Sequence, residues 1–231
     1  MSNPLPLGCV LFDLDGTLLD TAPDFIKVLN RLLEEQQRPP LDDAPIRATV
    51  SNGARALVSL GFGLTEGEPG FEPLRERLLT LYEERLGEFT RPFDGIDPLL
   101  STLEARGIPW GVVTNKPSRY TLPLLEKLGY RSRCATVVCP DQVSHSKPHP
   151  EPMLLACQQA ACIPARTVYI GDHERDIKAG HNAGMPTIAA LYGYLEAGLD
   201  WRRWRATHQV NHASEILQWF EALDWYCPGH N

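Results

Sequence analysis

Cys9-Val10-Leu11-Phe12-Asp13-Leu14-Asp15-Gly16-Thr17-Leu18-Leu19-Asp20-Thr21 is the stretch that decides how the rest of this 231-residue chain reads. Its first four residues form an apolar run just after Gly8, the pattern of a buried strand. Asp13 and Asp15 stand where that run ends, and Gly16 follows at once. Burying an unpaired carboxylate is very costly, so a buried strand has no local use for two. Two acids one residue apart, where a strand breaks into a loop, point to a hard cation held by oxygens or to acid–base chemistry. A plain turn at Asp15-Gly16 is the competing reading.

The pattern on either side of later breaks separates two kinds of chain. Phe25, Val28, Leu29, Leu32 and Leu33 recur at helical spacing, so residues 25–36 are expected to be a helix, stopped by Arg38-Pro39-Pro40. Residues 46–60 and 71–86 also read as helices, and residues 41–90 contain no convincing strand. From Phe93 the character changes. Strands are expected at 109–114, 136–139, 167–170 and 187–190, with helices at 96–106, 119–128, 150–161, 176–183 and 214–223. Strands alternating with helices mean βαβ units and a mainly parallel sheet. The expected fold is therefore α/β: a Rossmann-like core of residues 1–16 and 92–231, with an all-helical insertion at 17–91. Residues 191–212, with Trp201-Arg202-Arg203-Trp204, read as a mixed connection covering the core.

Size allows a substantial core, and the net charge of -7 argues against a nucleic-acid partner, which needs a basic face. No run of eighteen apolar residues exists, and Met1-Ser2-Asn3-Pro4-Leu5-Pro6 has no basic stretch or long apolar segment. A cytoplasmic protein with neither membrane span nor signal peptide is expected. The cysteines at 9, 134, 139, 157, 162 and 227 form no Cys-x-x-Cys pair and read as small core residues.

In an open parallel sheet, ligands bind at the carboxyl ends of the strands. Asp13 and Asp15 follow the first strand, Thr114-Asn115-Lys116 the second, Ser146-Lys147-Pro148 the third, and Gly171-Asp172-His173-Glu174-Arg175-Asp176 the fourth. Acids, a hydroxyl and a lysine thus gather along one edge. Such a set fits Mg²⁺ facing a phosphate, with Asp13 and Asp172 as carboxylate ligands and Lys147 offsetting the phosphate's charge. Thr114 would donate a hydrogen bond to the phosphate, and Asn115 or backbone N–H groups would hold its oxygens. With no histidine at the first strand's end, the simplest nucleophile is Asp13, which would form an aspartyl-phosphate. Asp15 would protonate the leaving oxygen and then take a proton from the hydrolytic water.

Phe12-Asp13-Leu14-Asp15-Gly16-Thr17, Val113-Thr114-Asn115, Ser146-Lys147-Pro148 and Gly171-Asp172-x-x-x-Asp176 resemble, in order, the four motifs of the haloacid dehalogenase superfamily. The resemblance implies a Rossmann-like core with a helical cap inserted after the first motif. It implies Asp13 as nucleophile and Mg²⁺ ligand, and Asp15 as acid/base and ligand through its backbone carbonyl. It also implies Thr114 and Lys147 on the phosphate, Asp172 as metal ligand, and Asp176 supporting the metal from one layer further out. His173 departs from the usual small polar or acidic residue; it is expected to face solvent, with Arg175 pairing with the acids.

Within the superfamily the chain is similar to the phosphoglycolate phosphatases and to the N-acetylmuramic acid 6-phosphate phosphatases of peptidoglycan recycling. The shared stretches are Asp20-Thr21-Ala22-Pro23-Asp24-Phe25, Ser51-Asn52-Gly53-Ala54-Arg55-Ala56, Trp110-Gly111-Val112-Val113-Thr114-Asn115-Lys116-Pro117 and Leu191-Tyr192-Gly193-Tyr194. Both substrate types carry a carboxylate besides the phosphate, so Arg47 or Arg55 in the cap would suit either. The implied partner is a small anionic phosphomonoester, and the chain is expected as a monomer or homodimer. The alternatives are a sugar phosphomutase or a receiver-like module that keeps its phosphoryl group. Asp15 and the cap weigh against the receiver.

Overall fold

The computed structural model describes residues 7–222. Its centre is a six-stranded parallel sheet in the order β5-β4-β1-β6-β7-β8. The strands are β1 (Cys9–Phe12), β4 (Trp110–Val113), β5 (Thr136–Val138), β6 (Thr167–Gly171), β7 (Thr187–Ala190) and β8 (His208–Val210). The chain builds outward from β1 to one side, then returns to β6 and builds outward to the other. That is the doubly wound order, and its switch point lies beside β1. Phe12 stands level with Val112 on one neighbour and Ile170 on the other, so all three strands end together.

Alternation along β1 explains the two layers. Val10 and Phe12 pack on one face with Leu99, Leu100 and Leu103 of α5 (Ile96–Ala105), Leu124 and Leu125 of α6 (Ser118–Lys127), and Ile216 and Phe220 of α9 (Ser214–Ala222). Cys9 and Leu11 pack on the other with Met153 and Ala156 of α7 (Glu151–Gln159) and Ala179 of α8 (Glu174–Asn182). Both faces are covered, so the strands read as continuous apolar runs rather than alternating ones.

The helical block has its own core. Val28, Leu29 and Leu32 of α1 (Ala22–Glu35), Ile46 of α2 (Asp43–Thr49), Leu57 and Val58 of α3 (Gly53–Phe62), and Leu78 and Tyr82 of α4 (Phe71–Glu84) are buried together. The expected single helix over 46–60 is instead two. A 3₁₀ turn at Val50–Asn52 and Gly53, at φ 78°, break it. The apolar spacing continues across that break, which is why periodicity alone misses it. Two short strands are also absent from the sequence reading: β2 (Leu19–Asp20) and β3 (Arg91–Pro92), paired antiparallel. They bring the two chain crossings between core and helical block side by side. Asp24 fastens the returning crossing, accepting from Gly87 N (2.9 Å), Phe89 N (2.7 Å) and Thr90 Oγ1 (2.6 Å).

The 191–212 connection holds a 3₁₀ turn at Trp201–Trp204 and the sixth strand, β8. Trp204 is buried against Ile177 and Ala189, as a core cover should be. Cys9, Cys134, Cys139 and Cys157 are buried free thiols and Cys162 is half-buried; Cys227 lies outside the described residues. No helix among the described residues is long and apolar enough to cross a membrane.

Candidate active site

The carboxyl ends of β1, β4 and β6 open into a crevice of about 330 Å³ between the sheet and the helical block. Asp13, Asp15, Thr114, Asn115, Lys116 and Lys147 line it from the sheet side. Phe25, Ser51, Asn52, Arg55, Arg75 and Tyr82 line it from the helical side.

Lys147 is the hub of the sheet wall. Its ammonium lies 2.8 Å from Asp13 Oδ1, 2.8 Å from Asp176 Oδ1, 2.9 Å from Tyr169 OH and 3.0 Å from the Val113 carbonyl. Three N–H donors thus face four acceptors, and the side chain is 1 % exposed. Burial works against its charge, but Asp13 and Asp176 hold its pKa above the ordinary lysine value. The loop carrying it is clamped from β4's end: Asn115 Nδ2 donates to the Lys147 carbonyl (3.1 Å) and Lys147 N donates to Asn115 Oδ1 (3.1 Å). Asn115 therefore holds the lysine's backbone with both ends of its amide, and one Nδ2 hydrogen remains for another acceptor.

Oxygens of Asp13, Asp172 and Asp176 come within 4.8 Å of one another, all in buried side chains. Asp176 is committed on both sides, to Lys147 through Oδ1 and to the His173 N–H through Oδ2 (3.0 Å). Asp172 accepts from Tyr194 N (2.9 Å), Thr17 Oγ1 (3.3 Å) and Ser51 Oγ (3.3 Å); among the described residues it forms no ion pair, and Lys147 acts on it from further away. Burial, and then the charges of Asp13 and Asp176, push Asp172 well above the usual carboxylate range. Burial likewise pushes Asp13 up to about 6, against the pull of Lys147. Three buried acids, only two of them paired with the one ammonium of Lys147, leave an excess of negative charge. All-oxygen donors with that excess suit a hard dication.

Glycines make the close approach feasible. A Cβ on Gly16 (φ 85°) would stand 2.2 Å from Asp172 Oδ2. A Cβ on Gly193 would stand 2.3 Å from the Gly16 carbonyl and 2.4 Å from Asp172 Cβ. Any side chain at either position would force Asp172 or its neighbours to shift.

Asp15 has a different environment from Asp13. Its Oδ1 accepts from Thr21 Oγ1 (2.6 Å) and from Lys116 Nζ (2.9 Å). Lys116 is buried against the stacked rings of Phe25 and Tyr82 in the helical block, 5.0 Å from the Phe25 centroid and 4.7 Å from that of Tyr82. Burial opposes its charge too, yet Asp15 and Tyr82 keep its pKa above the lysine norm. Thr114 Oγ1 accepts from Lys116 N (3.1 Å), which leaves its O–H free to donate into the crevice.

The two arginines singled out from the sequence part company. Arg55 lines the crevice and pairs with Glu66 (2.9 Å). Arg47 is not among the crevice-lining residues; it makes a two-pronged pair with Asp20 (3.0 and 2.8 Å) at the crossing between the two regions. His173 does not face solvent as expected. It caps α8, its Nδ1 accepting from Arg175 N (3.1 Å), and it stacks at 6.5 Å on Trp204. Burial and Arg175 depress its pKa. Arg175 pairs with no acid of the cluster; it donates to the Ser51 carbonyl (3.1 Å) and Asn52 Oδ1 (2.7 Å), tying α8 to the helical block.

The sequence reading missed Tyr169, Ser51, Arg75 and the role of Tyr194. Tyr169 looks like one more strand residue, and Ser51 falls inside what reads as a helix. Tyr194 bonds both Asp172 and, through its hydroxyl, Asp20 (2.8 Å). Its only signal was the Tyr192-Gly193-Tyr194 stretch directly after β7.

Residues 10–190 match the family profile described as haloacid dehalogenase-like hydrolase. A relative in Pseudomonas aeruginosa named N-acetylmuramic acid 6-phosphate phosphatase is 47% identical over 211 residues, spanning 91% of this chain and 93% of its own. A Xanthomonas campestris protein named phosphoglycolate phosphatase is 42% identical over 219 residues, spanning 95% and 97%. Among solved structures, a predicted phosphoglycolate phosphatase from Haemophilus somnus superposes with a TM-score of 0.81 at 25% identity, covering 92% of this chain and 97% of that one.

Proposed function

Since this chain belongs to the haloacid dehalogenase-like hydrolases, as a phosphoric monoester hydrolase, we propose that it is Mg²⁺-dependent and works through an aspartyl-phosphate on Asp13. The observation that carries the reading is the buried trio of Asp13, Asp172 and Asp176, two of them paired with Lys147, with Asp13 and Lys147 lining the crevice. Asp13 and Asp172, with the Asp15 backbone carbonyl, would hold the metal; Asp176 orients Lys147 and stands behind them. When bound, the cation neutralises the acids and the phosphate, so that anion can approach anion.

The chain's own groups carry the remaining steps. Lys147 holds Asp13 Oδ1, which aims Asp13 for attack on phosphorus. The Thr114 hydroxyl and the remaining Asn115 hydrogen donate to phosphate oxygens. Asp15, held by Thr21 and Lys116, protonates the departing alkoxide and then removes a proton from the water that opens the acyl phosphate. Phe25, Tyr82 and Tyr120 exclude water while Asp13 attacks. The paired crossings β2 and β3 form the hinge on which the helical cap, residues 17–91, admits substrate and the hydrolytic water.

The substrate we favour is N-acetylmuramic acid 6-phosphate, with 2-phosphoglycolate second, which places the enzyme in cytoplasmic peptidoglycan recycling. A volume of about 330 Å³ is at the lower end of pockets that bury whole organic ligands, and leaves room for a sugar beside the phosphate. Arg55 and Arg75 on the helical wall can meet a carboxylate. A kcat/KM panel with N-acetylmuramic acid 6-phosphate, 2-phosphoglycolate and hexose phosphates tests this. Hexose phosphates turning over as well as the two carboxylated substrates would sink the substrate assignment while leaving the phosphatase intact.

A further inference from the structure

The Lys147 loop carries a second set of metal-binding side chains on its outer side. His145-Ser146-Lys147-Pro148-His149-Pro150-Glu151 folds back on itself through a bond from His149 N to the Ser146 carbonyl (3.0 Å). The turn buries Lys147 and throws the flanking rings together outside, with centroids 4.6 Å apart and planes tilted by 35°. Both rings turn toward one carboxylate: His145 Nδ1 is 3.2 Å and His149 Nδ1 3.8 Å from Glu151 Oε2. We propose that His145, His149 and Glu151 form a surface site for a borderline divalent cation such as Zn²⁺ or Ni²⁺, separate from the acid cluster in the crevice.

The spacing supports three-donor coordination. Donors at 2.0–2.2 Å from a tetrahedral ion stand about 3.3 Å apart. The two nitrogen–oxygen distances bracket that figure, and one donor atom from each of the three residues lies within 4.8 Å of the others. The carboxylate is already aimed: Glu151 Oε1 accepts from Ser144 N (2.8 Å) and Oε2 from His145 N (3.0 Å). Those bonds, with His145 nearby, also hold its pKa below the ordinary glutamate value. The loop beneath is clamped by Asn115, so the donors sit on a fixed base. A metal on His149 Nδ1 would replace only the long 3.3 Å contact from the Glu151 N–H.

The chemistry separates the two sites. Imidazole nitrogens suit Zn²⁺, Ni²⁺ and Cu²⁺, whereas Mg²⁺ prefers oxygens and waters. The histidines are 67 % and 49 % exposed, so entry is open and the remaining positions can take water. The positive end of α7 works against a cation here, but that effect is small beside three donor bonds. An ion at this site would bridge residues 145, 149 and 151 and so brace the turn that presents Lys147 to Asp13.

Calorimetric titration of the full chain with Zn²⁺, in saturating Mg²⁺ to occupy the acid cluster, tests the site. Co²⁺ substitution adds a spectral readout, because a nitrogen-ligated tetrahedral ion absorbs far more strongly than an all-oxygen octahedral one. The wild type should take up one Zn²⁺ at micromolar concentration and show the tetrahedral Co²⁺ bands. His145→Ala and His149→Ala should each weaken binding by about tenfold or more, and the double variant should lose the bands. Both side chains are exposed, so folding is not at stake. A double variant that binds like the wild type puts the ion on the crevice acids or the thiols and overturns the proposal, as does a wild type that takes up no Zn²⁺. Phosphatase activity in Mg²⁺ alone does not enter either outcome.

Discussion

On the sheet wall of the crevice, Asp172, Asp176 and Lys147 are nearly inaccessible; Asp172 and Lys147 are each fixed by two or more bonds to residues far away in the chain, and Asp176 by Lys147 and by the nearby His173 N–H. On the helical wall, the Arg55–Glu66 pair holds more than half of each side chain in solvent, and Arg75 pairs with Glu72 on its own helix. The difference fits the roles proposed for the two walls. Groups that bind a phosphoryl centre must keep one geometry, and buried networks provide it at the risk of large losses when one member goes. A wall that reads the organic part of a substrate must open and close, and exposed pairs worth at most about 1 kcal/mol can rearrange.

If the sheet wall is the rigid partner, damage there should dwarf damage opposite. Asp13→Asn should lower kcat by about 10³-fold or more, measured with p-nitrophenyl phosphate in Mg²⁺. Substantial turnover would end the covalent mechanism. Lys147→Met should leave Asp13 and Asp176 buried without their cation and cost about 3–5 kcal/mol in urea unfolding. A smaller loss in Mg²⁺ than in EDTA is expected, since the metal then supplies the missing positive charge. A loss below about 1 kcal/mol in EDTA would contradict the central place given to that ammonium.

The metal-free protein carries a pH signature. Asp13 is raised from its ordinary value of 3.8 to about 6, so the folded state holds a proton that the unfolded chain releases near pH 4. Stability of the metal-free protein should therefore fall as pH rises from about 4 through 6, on the order of 3 kcal/mol. Because Mg²⁺ must displace that proton, its stabilising effect should grow over the same window. Thermal melts from pH 4 to 8, with Mg²⁺ and with EDTA, check both slopes; parallel curves would show that the cation does not meet Asp13. Exhaustive chelation should also silence turnover, and Mg²⁺ should restore it.

The smallest effects sharpen the helical side of the comparison. Arg55→Ala should raise KM several-fold for carboxylated phosphates and leave that for p-nitrophenyl phosphate almost unchanged. Arg47→Ala, which breaks the pair with Asp20 at the crossing, should change both substrates alike. The opposite pattern would exchange their roles.

Much of the sheet wall was legible because its signals are local. An apolar run ending in two acids, or a strand ending in Thr114-Asn115, announces itself within a dozen residues. The helical wall was read less well. The break at Gly53 hides inside an unbroken apolar rhythm, and it is that break which lets Ser51 and Asn52 touch Asp172 and Arg175. His173 was misread for a similar reason: whether a ring faces water depends on Trp204, thirty-one positions further on.

What the chain determined by itself was the list of candidate groups and the edge of the sheet they occupy, since strand periodicity and the parallel fold rule need no partner residues. Only tertiary structure decided which ammonium meets which acid: Lys147 with Asp13, 134 positions apart, and Lys116 with Asp15, 101 apart. Charge pairing at close range depends on three-dimensional distance and on the exclusion of water, and neither is written in the order of residues along a chain.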